Sequence, residues 1–127
     1  MNVVVVDASA LAAVAFGEPE GGAIARRLEG ARVHAPTLLR FELANTAWKK
    51  ARADAAAAPQ ILRALDLVLD SRGEIAWHDV NHTDAVLLAR DTGLTAYDAS
   101  YLWLAASLGA DLVTLDRKLA SAIEPLA

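Results

Sequence analysis

Two acidic residues, Asp7 and Asp116, each follow a short apolar run that predicts a buried strand. Asp7 comes directly after "VVVV" (3–6), and Asp116 comes directly after "DLVTL" (111–115). Because the carboxyl ends of parallel strands meet at one edge of a sheet, where ligands bind, we expect both carboxylates at that edge. A simpler interpretation also fits each of them, since aspartate is a common N-cap for a helix that follows a strand.

Two further acids, Glu42 and Asp98, lie in helical segments with no cation three or four residues away, where helical neighbours meet. Asp98 together with Thr95 fits the Thr-x-x-Asp capping pattern, which alone would explain it. Glu42 lies in mid-helix in "LLRFELANTAW" (38–48), where the simpler alternative is a distant arginine partner. Taken together, the four acids indicate converging carboxylates, which need a compensating charge. A hard divalent cation with oxygen ligands, Mg²⁺ or Mn²⁺, is the usual one.

Two polar residues accompany these acids. Asn45 lies one turn beyond Glu42 and would share its helix face, where its amide could orient Glu42 or a water. Ser9 lies two residues after Asp7 and could hydrogen-bond a metal-bound water, although an ordinary serine in the first turn of a helix fits equally well.

The elements that must position these residues alternate along the chain. The patterns predict strands at 3–6, 31–36, 74–77 and 111–115, and helices at 8–16, 20–29, 37–53, 59–72, 82–93, 95–109 and 116–123. The strand runs are too apolar for a one-sided antiparallel sheet. The sequence therefore predicts an α/β fold, a three-layer α/β/α sandwich with a central, mainly parallel sheet.

Composition limits the class of protein. The chain has 127 residues, 55% of them hydrophobic, which predicts a single domain over 1–127 with a packed core. A formal net charge of −4 argues against a passive nucleic-acid coat. There is no cysteine, so disulfides and thiolate metal sites are excluded. The longest later uncharged run, 99–110, is shorter than the ~20 residues of a spanning helix, so we expect a cytoplasmic protein.

Three segments resemble the signature blocks of PIN-domain nucleases, and of the VapC-type toxin ribonucleases of type II toxin–antitoxin pairs in particular. These segments are "VVVDASAL", "APTLLRFELANTAWK" and "TAYDASYLWLAASLGADLVTLDRKL". The resemblance extends from Val3 to about Leu119. It departs from the family after the last acid, where only "AIEPLA" remains and the usual further strand is predicted to be a stub or absent.

The resemblance implies a function and a set of site residues. The family's acidic metal ligands correspond to Asp7, Glu42, Asp98 and Asp116, and its supporting residues correspond to Ser9, Asn45 and Thr114. It implies a PIN-like fold, a Mg²⁺- or Mn²⁺-dependent endoribonuclease that leaves a 5′-phosphate, a homodimer and a small VapB-like antitoxin partner. The apolar faces of helices 8–16 and 37–53 are candidate antitoxin surfaces, although burial in the chain's own core also explains them.

Residues that could contact RNA outside the acids are less specific. Five cations are candidates for the RNA backbone, although solvated surface charges look the same: Arg40, Lys49, Lys50, Arg117 and Lys118. Three tryptophans could stack on bases, although their apolar contexts favour the core or a dimer interface: Trp48, Trp77 and Trp103.

Two other functions compete with the nuclease. A haloacid-dehalogenase-like phosphatase also begins with a strand and an aspartate, but it needs a second acid two residues on, where this chain has Ser9. The other rival is a non-catalytic PIN-like binding module, against which the presence of all four acids argues.

Overall fold

The computed structural model describes residues 2–70 and 74–123. Its strands are β1 (Val3–Val6), β2 (Arg32–Pro36), β3 (Ile75–His78) and β4 (Asp111–Val113). Its helices are α1 (Ala8–Ala15), α2 (Gly21–Leu28), α3 (Leu38–Ala53), α4 (Ala58–Leu69), α5 (His82–Thr92), α6 (Ala96–Leu108) and α7 (Arg117–Ile123), and a short 3₁₀ helix, Ala55–Ala57, precedes α4.

The described strands form one sheet in the order β3-β2-β1-β4, and every pair in it is parallel. Helices α1 to α4 pack against one another, while α5 and α7 pack on α6, which lies against β1, β2 and β4. Crossovers between parallel strands are almost always right-handed, and with that hand the reversal of direction across the sheet after β3 places these two groups on opposite faces. The predicted three-layer α/β/α fold with a parallel sheet is confirmed.

Strand β1 lies at the centre of the core. Val4, Val5 and Val6 are buried, as is expected of a β-branched strand covered on both faces. The chain runs from β1 to β2 on one side, whereas β4 joins on the other side. In open parallel sheets, ligands bind beyond the strand ends at the point where the strand order reverses in this way. Asp7 follows β1 directly and therefore lies at that point of the sheet.

Some predicted boundaries differ from the structure. The strand predicted at 111–115 ends at Val113, because the backbone N–H groups of Leu115 and Asp116 are donated to the hydroxyls of Ser9 and Thr114 and not to a neighbouring strand. The helix predicted from Pro59 begins one residue earlier, which places proline in the first turn. The predicted end of that helix near Gly73 and the question of a C-terminal edge strand fall outside the described residues. Within the described ranges, no helix is long and apolar enough to cross a membrane.

Candidate active site

Asp7 is a buried carboxylate held by three hydrogen bonds, and its side chain is 5% exposed. Its Oδ1 accepts from the Ser9 hydroxyl at 2.8 Å and from the Ala10 backbone N–H at 3.0 Å. Its Oδ2 accepts from the Thr114 hydroxyl at 2.5 Å. The bond from Ala10 makes Asp7 the N-cap of α1, so the capping interpretation is correct. The two hydroxyl bonds show that Asp7 also does more than cap a helix.

Two hydroxyls join the end of β1 to the end of β4. Ser9 Oγ accepts from the Leu115 N–H at 3.0 Å, and Thr114 Oγ1 accepts from the Asp116 N–H at 3.0 Å. Each hydroxyl has only one proton to donate, and both protons go to Asp7. The 3.4 Å approach between these two hydroxyl oxygens is therefore a contact between acceptors. This arrangement fixes the orientation of Asp7 and the path of the chain into Asp116.

Glu42 is oriented by a tyrosine from the opposite helical layer. Tyr101 on α6 is 1% exposed, and its hydroxyl donates to Glu42 Oε1 at 2.5 Å. The distant arginine considered for Glu42 is thus replaced by a neutral donor. A buried phenol needs a hydrogen-bond acceptor, and Glu42 supplies it. Burial and the neighbouring Glu42 charge raise the pKa of Tyr101 well above its ordinary value, so the hydroxyl keeps its proton.

Asp98 and Asp116 occupy the starts of α6 and α7. Thr95 is the N-cap of α6, and its Oγ1 accepts from the Asp98 N–H at 3.1 Å. Asp116 Oδ1 accepts from the backbone N–H groups of Lys118 and Leu119 at 2.9 and 3.2 Å. The predicted capping roles are therefore correct for these elements as well. Helix N-termini also favour negative charge nearby, which helps to keep both acids at this edge.

Electrostatic interactions link four acidic residues: Asp7, Glu42, Asp98 and Asp116, named below the acidic cluster. Burial raises the pKa of Asp7, and the charge of Asp116 raises it further. Burial also raises the pKa of Glu42, with Asp98 and Asp7 adding to the effect. The pKa of Asp98 is raised by burial, by Asp116 and by Asp7. The acids are carried by four different elements, and their convergence on one metal site stays a prediction.

The negative charge of the acidic cluster has little compensation. Across residues 2–70 and 74–123, the ion pairs join Lys50 to Glu18 and Arg90 to Asp91, and none involves the acidic cluster. The nearby charge of Lys118 lowers the pKa of Asp98, but the Lys118 ammonium donates to the Gly93 carbonyl at 3.0 Å. In the same described ranges, no three acidic or histidine side chains are close enough to hold one ion directly as they stand.

A groove of about 490 Å³ borders the acidic cluster at Glu42. Glu42, Asn45 and Ser9 line it, together with Glu18 and Leu115. Asn45 therefore shares the groove with Glu42, as its spacing of one helical turn predicts. Ser9 lines the groove as well, although its hydroxyl proton is donated to Asp7.

The structure separates the five candidate cations. Among the described residues with a shifted pKa, one acid of the cluster is affected by a candidate cation: the charge of Lys118 lowers the pKa of Asp98. Arg40 lies over the Trp77 ring at 4.4 Å, and Lys50 is paired with Glu18 at 3.2 Å. Lys49 and Arg117 are exposed.

Sequence reasoning missed two features. The first is Tyr101, whose position one turn after Asp98 in an apolar helix is the one indication in the sequence that it lies near the site. The sequence does not identify the acceptor of its hydroxyl. The second feature is a histidine pair on neighbouring strands, in which His34 Nδ1 and His78 Nε2 are 2.7 Å apart. Burial and the neighbouring His78 lower the pKa of His34, and the pair joins the adjacent strands β2 and β3.

A PIN domain family model matches residues 4–124, and the chain therefore belongs to the PIN-domain family. Among curated proteins of Pyrobaculum aerophilum it resembles ribonuclease VapC3, with 35% identity over 119 residues and 91% of each chain covered. It also resembles exonuclease VapC9, with 38% identity over 114 residues, covering 90% of this chain and 80% of the relative. The predicted resemblance to PIN-domain nucleases of the VapC type is confirmed.

Two crystal structures share the fold. PAE2754 from Pyrobaculum aerophilum superposes with a TM-score of 0.80 at 29% identity, covering 97% of this chain and 86% of that one. VapC20 of Mycobacterium tuberculosis, a toxin that cleaves the sarcin–ricin loop, superposes with a TM-score of 0.69 at 13% identity, covering 94% of each chain. The second match concerns the fold alone.

Proposed function

We propose that residues 1–127 form a single nuclease domain that hydrolyses RNA phosphodiester bonds in the cytoplasm as a VapC-like toxin. The observation that carries this proposal is the acidic cluster, whose carboxylates raise one another's pKa without an ion pair in the described part of the chain. Charges placed in this way are unfavourable for the metal-free protein and are typical of functional sites. Membership in the PIN-domain family and the VapC relatives support a nuclease.

The donor atoms of the acidic cluster suit Mg²⁺ or Mn²⁺, since all are hard carboxylate oxygens. Asp7 and Asp98 would bind the ion, and Glu42 and Asp116 would do so directly or through water. Ligation partly through water agrees with the spacing of the carboxylates, which brings no three of them onto one point in the described residues. When bound, the ion would offset the charge of the acids and of the phosphodiester and make a nearby water more acidic.

The chain's own residues position the reaction. Ser9 and Thr114 hold both oxygens of Asp7, and the backbone N–H of Ala10 leaves that carboxylate little freedom to rotate. Tyr101 holds one oxygen of Glu42 and leaves the other available. Asn45 faces the groove by which a substrate would approach. Preorganised groups of this kind lower the reorganisation needed in the transition state.

RNA cleavage with and without metal tests the proposal. The wild-type chain should cleave members of a panel of defined RNAs, including tRNAs, with Mg²⁺ or Mn²⁺ and not with EDTA. Asp7→Asn should abolish cleavage, whereas Asp66→Asn, at an exposed acid on α4, should not change it. Turnover of phosphate monoesters without RNA cleavage would favour the phosphatase, and no turnover of either would favour a binding module.

A circular RNA distinguishes internal from terminal cleavage, which matters because one relative is named a ribonuclease and another an exonuclease. We propose endonucleolytic cleavage, so a circular RNA should be opened at a rate similar to that of its linear form. Cleavage of the linear RNA alone would contradict this.

We also propose that the chain forms a homodimer and that a small VapB-like antitoxin neutralises it. An apolar groove of about 560 Å³ lies between helices α1 and α2 on one side and α4 on the other, and Leu11, Val14 and Leu28 line it. This groove would accept an amphipathic helix of the antitoxin. Co-expression with the antitoxin should yield a complex in which RNA cleavage is reduced. Undiminished cleavage by a stable complex would contradict neutralisation.

A further inference from the structure

The solvent-facing side of α3 combines aromatic and basic side chains. Phe41, Asn45, Trp48 and Arg52 follow one another at spacings of four, three and four residues, so they share one face of the helix. Lys49 lies beside them, and these five residues are named here the α3 stripe. The opposite face of α3 is buried through Leu39, Leu43 and Ala47, so the α3 stripe is not part of this chain's core.

The aromatic side chains of the α3 stripe are unusually accessible. Phe41 is 76% exposed and Trp48 is 54% exposed, whereas large aromatic residues are normally mostly buried. The guanidinium of Arg52 lies over the Trp48 ring, 4.4 Å from its centroid. This cation–π contact covers one part of the indole and holds the rest towards solvent. Of the two placements predicted for Trp48, the core is therefore wrong, and the dimer interface stays a prediction.

The charge on this helix is opposite to that of the whole chain. Helix α3 contains Arg40, Lys49, Lys50 and Arg52 against one acid, Glu42, in a chain whose formal net charge is −4. A basic helix on an acidic protein suits a polyanion better than it suits a second copy of the same acidic chain. Interleaved aromatic and cationic groups are the usual way in which proteins bind single-stranded nucleic acid.

The α3 stripe is continuous with the acidic cluster. Phe41 precedes Glu42 directly, and Asn45 lines the same groove as Glu42 and Ser9. From Phe41 to Arg52 the helix extends about 16 Å, at 1.5 Å per residue. A nucleic-acid strand that lies along this face would therefore enter the groove at Glu42.

We propose that the α3 stripe is the track that binds single-stranded RNA and directs it into the acidic cluster; this rests on the proposed function. Unpaired bases stack on Phe41 and Trp48, and phosphates lie against Lys49 and Arg52. Asn45 contacts the nucleotide nearest the acids. These are positioning residues for the substrate and take no part in the bond cleavage itself.

Binding in a cleavage-deficient background tests the track. With Asp7→Asn, the affinity for a fluorescent single-stranded oligonucleotide is measured by anisotropy. Trp48→Ala and Phe41→Ala should each weaken binding by about 5- to 100-fold, the usual effect of losing one stacked base. Trp48→Phe should retain most of the affinity. Val86→Ala, on α5 and 56% exposed, is the control for loss of an exposed apolar side chain and should have no effect.

Salt and substrate length separate a track from a merely structural role. Lys49→Gln should reduce the slope of log affinity against log salt by about one phosphate contact. In the otherwise wild-type chain, Trp48→Ala should raise KM for a long RNA at unchanged kcat. It should leave cleavage of the shortest accepted oligonucleotide unchanged, because such a substrate does not reach Trp48.

The outcomes are distinguishable. Unchanged affinity for RNA in both alanine variants would overturn the track. The track would also be overturned if Trp48→Ala changed only the size of the particle, making it smaller by light scattering, because the α3 stripe would then be a protein interface. Absence of RNA cleavage by the wild-type chain would refute the proposed function. The anisotropy measurement would still decide separately whether the α3 stripe binds RNA.

Discussion

Replacing Thr114 with valine tests the bridge between the two central strand ends. The substitution keeps the β-branched shape and removes the hydroxyl that donates to Asp7 and accepts from the Asp116 N–H. The first bond has a charged acceptor and contributes about 1.5–3 kcal/mol, and the second contributes about 1 kcal/mol. Thr114→Val should therefore lower the free energy of unfolding by about 2–4 kcal/mol in urea denaturation. Thr114→Ser keeps the hydroxyl and should lose less than about 1 kcal/mol.

The same variant changes the pH dependence of cleavage in a definite direction. The Thr114 bond lowers the pKa of Asp7 against the effect of burial, so its loss should raise that pKa further. Asp7 must be ionised to bind a cation, and the acidic limb of the pH–rate profile should therefore move to higher pH in Thr114→Val and stay in place in Thr114→Ser. Equal stabilities and equal pH profiles for the two variants would refute the bridge.

Further predictions concern the acids, their tyrosine and one glycine. Tyr101→Phe removes a bond that lowers the pKa of Glu42, so the acidic limb of the pH–rate profile should also move to higher pH; an unchanged limb would contradict this. Because the pKa of three cluster acids is raised on folding, the metal-free folded state binds more protons than the unfolded chain, and stability should rise as the pH falls from neutral towards the ordinary pKa of a carboxyl group. A saturating divalent ion should weaken this dependence, as thermal melts at several pH values would show. Gly21→Ala should destabilise the fold by about 1–3 kcal/mol, because its Cβ would lie 2.3 Å from the Ala13 carbonyl oxygen, whereas Gly22→Ala meets nothing within 4 Å and should be neutral or stabilising.

The parts of the fold that follow from local periodicity could be predicted. The four valines of β1 and the apolar strands around them indicate burial on both faces, and buried strands alternating with helices imply a parallel sheet. The convergence of Asp7 and Asp116 follows from that topology, since both acids come after strands that run in the same direction. The same topology is the basis for the predicted acidic cluster, whose role as a metal site the proposed measurements test.

Contacts across the sheet could not be predicted in the same way. Glu42 and Tyr101 are 59 residues apart, and the local sequence around either residue does not indicate that the other is its hydrogen-bond partner. The exposure of Trp48 depends on which face of α3 is buried. Leu39, Leu43 and Ala47 occupy the core side, and Trp48 lies on the other. The end of β4 at Val113 likewise involves a distant residue, since the Leu115 N–H donates to the hydroxyl of Ser9.

Direct measurement of Mn²⁺ binding tests the central claim, that the acidic cluster gathers a divalent cation. Titration calorimetry on the wild-type chain should give saturable binding, and the number of protons released on binding should increase as the pH is lowered, because burial raises the pKa of Asp7 and Glu42. Asp7→Asn should lose this binding, and Asp66→Asn should keep it. Binding that is equal in the wild type and Asp7→Asn, or absent from the wild type, would contradict the account.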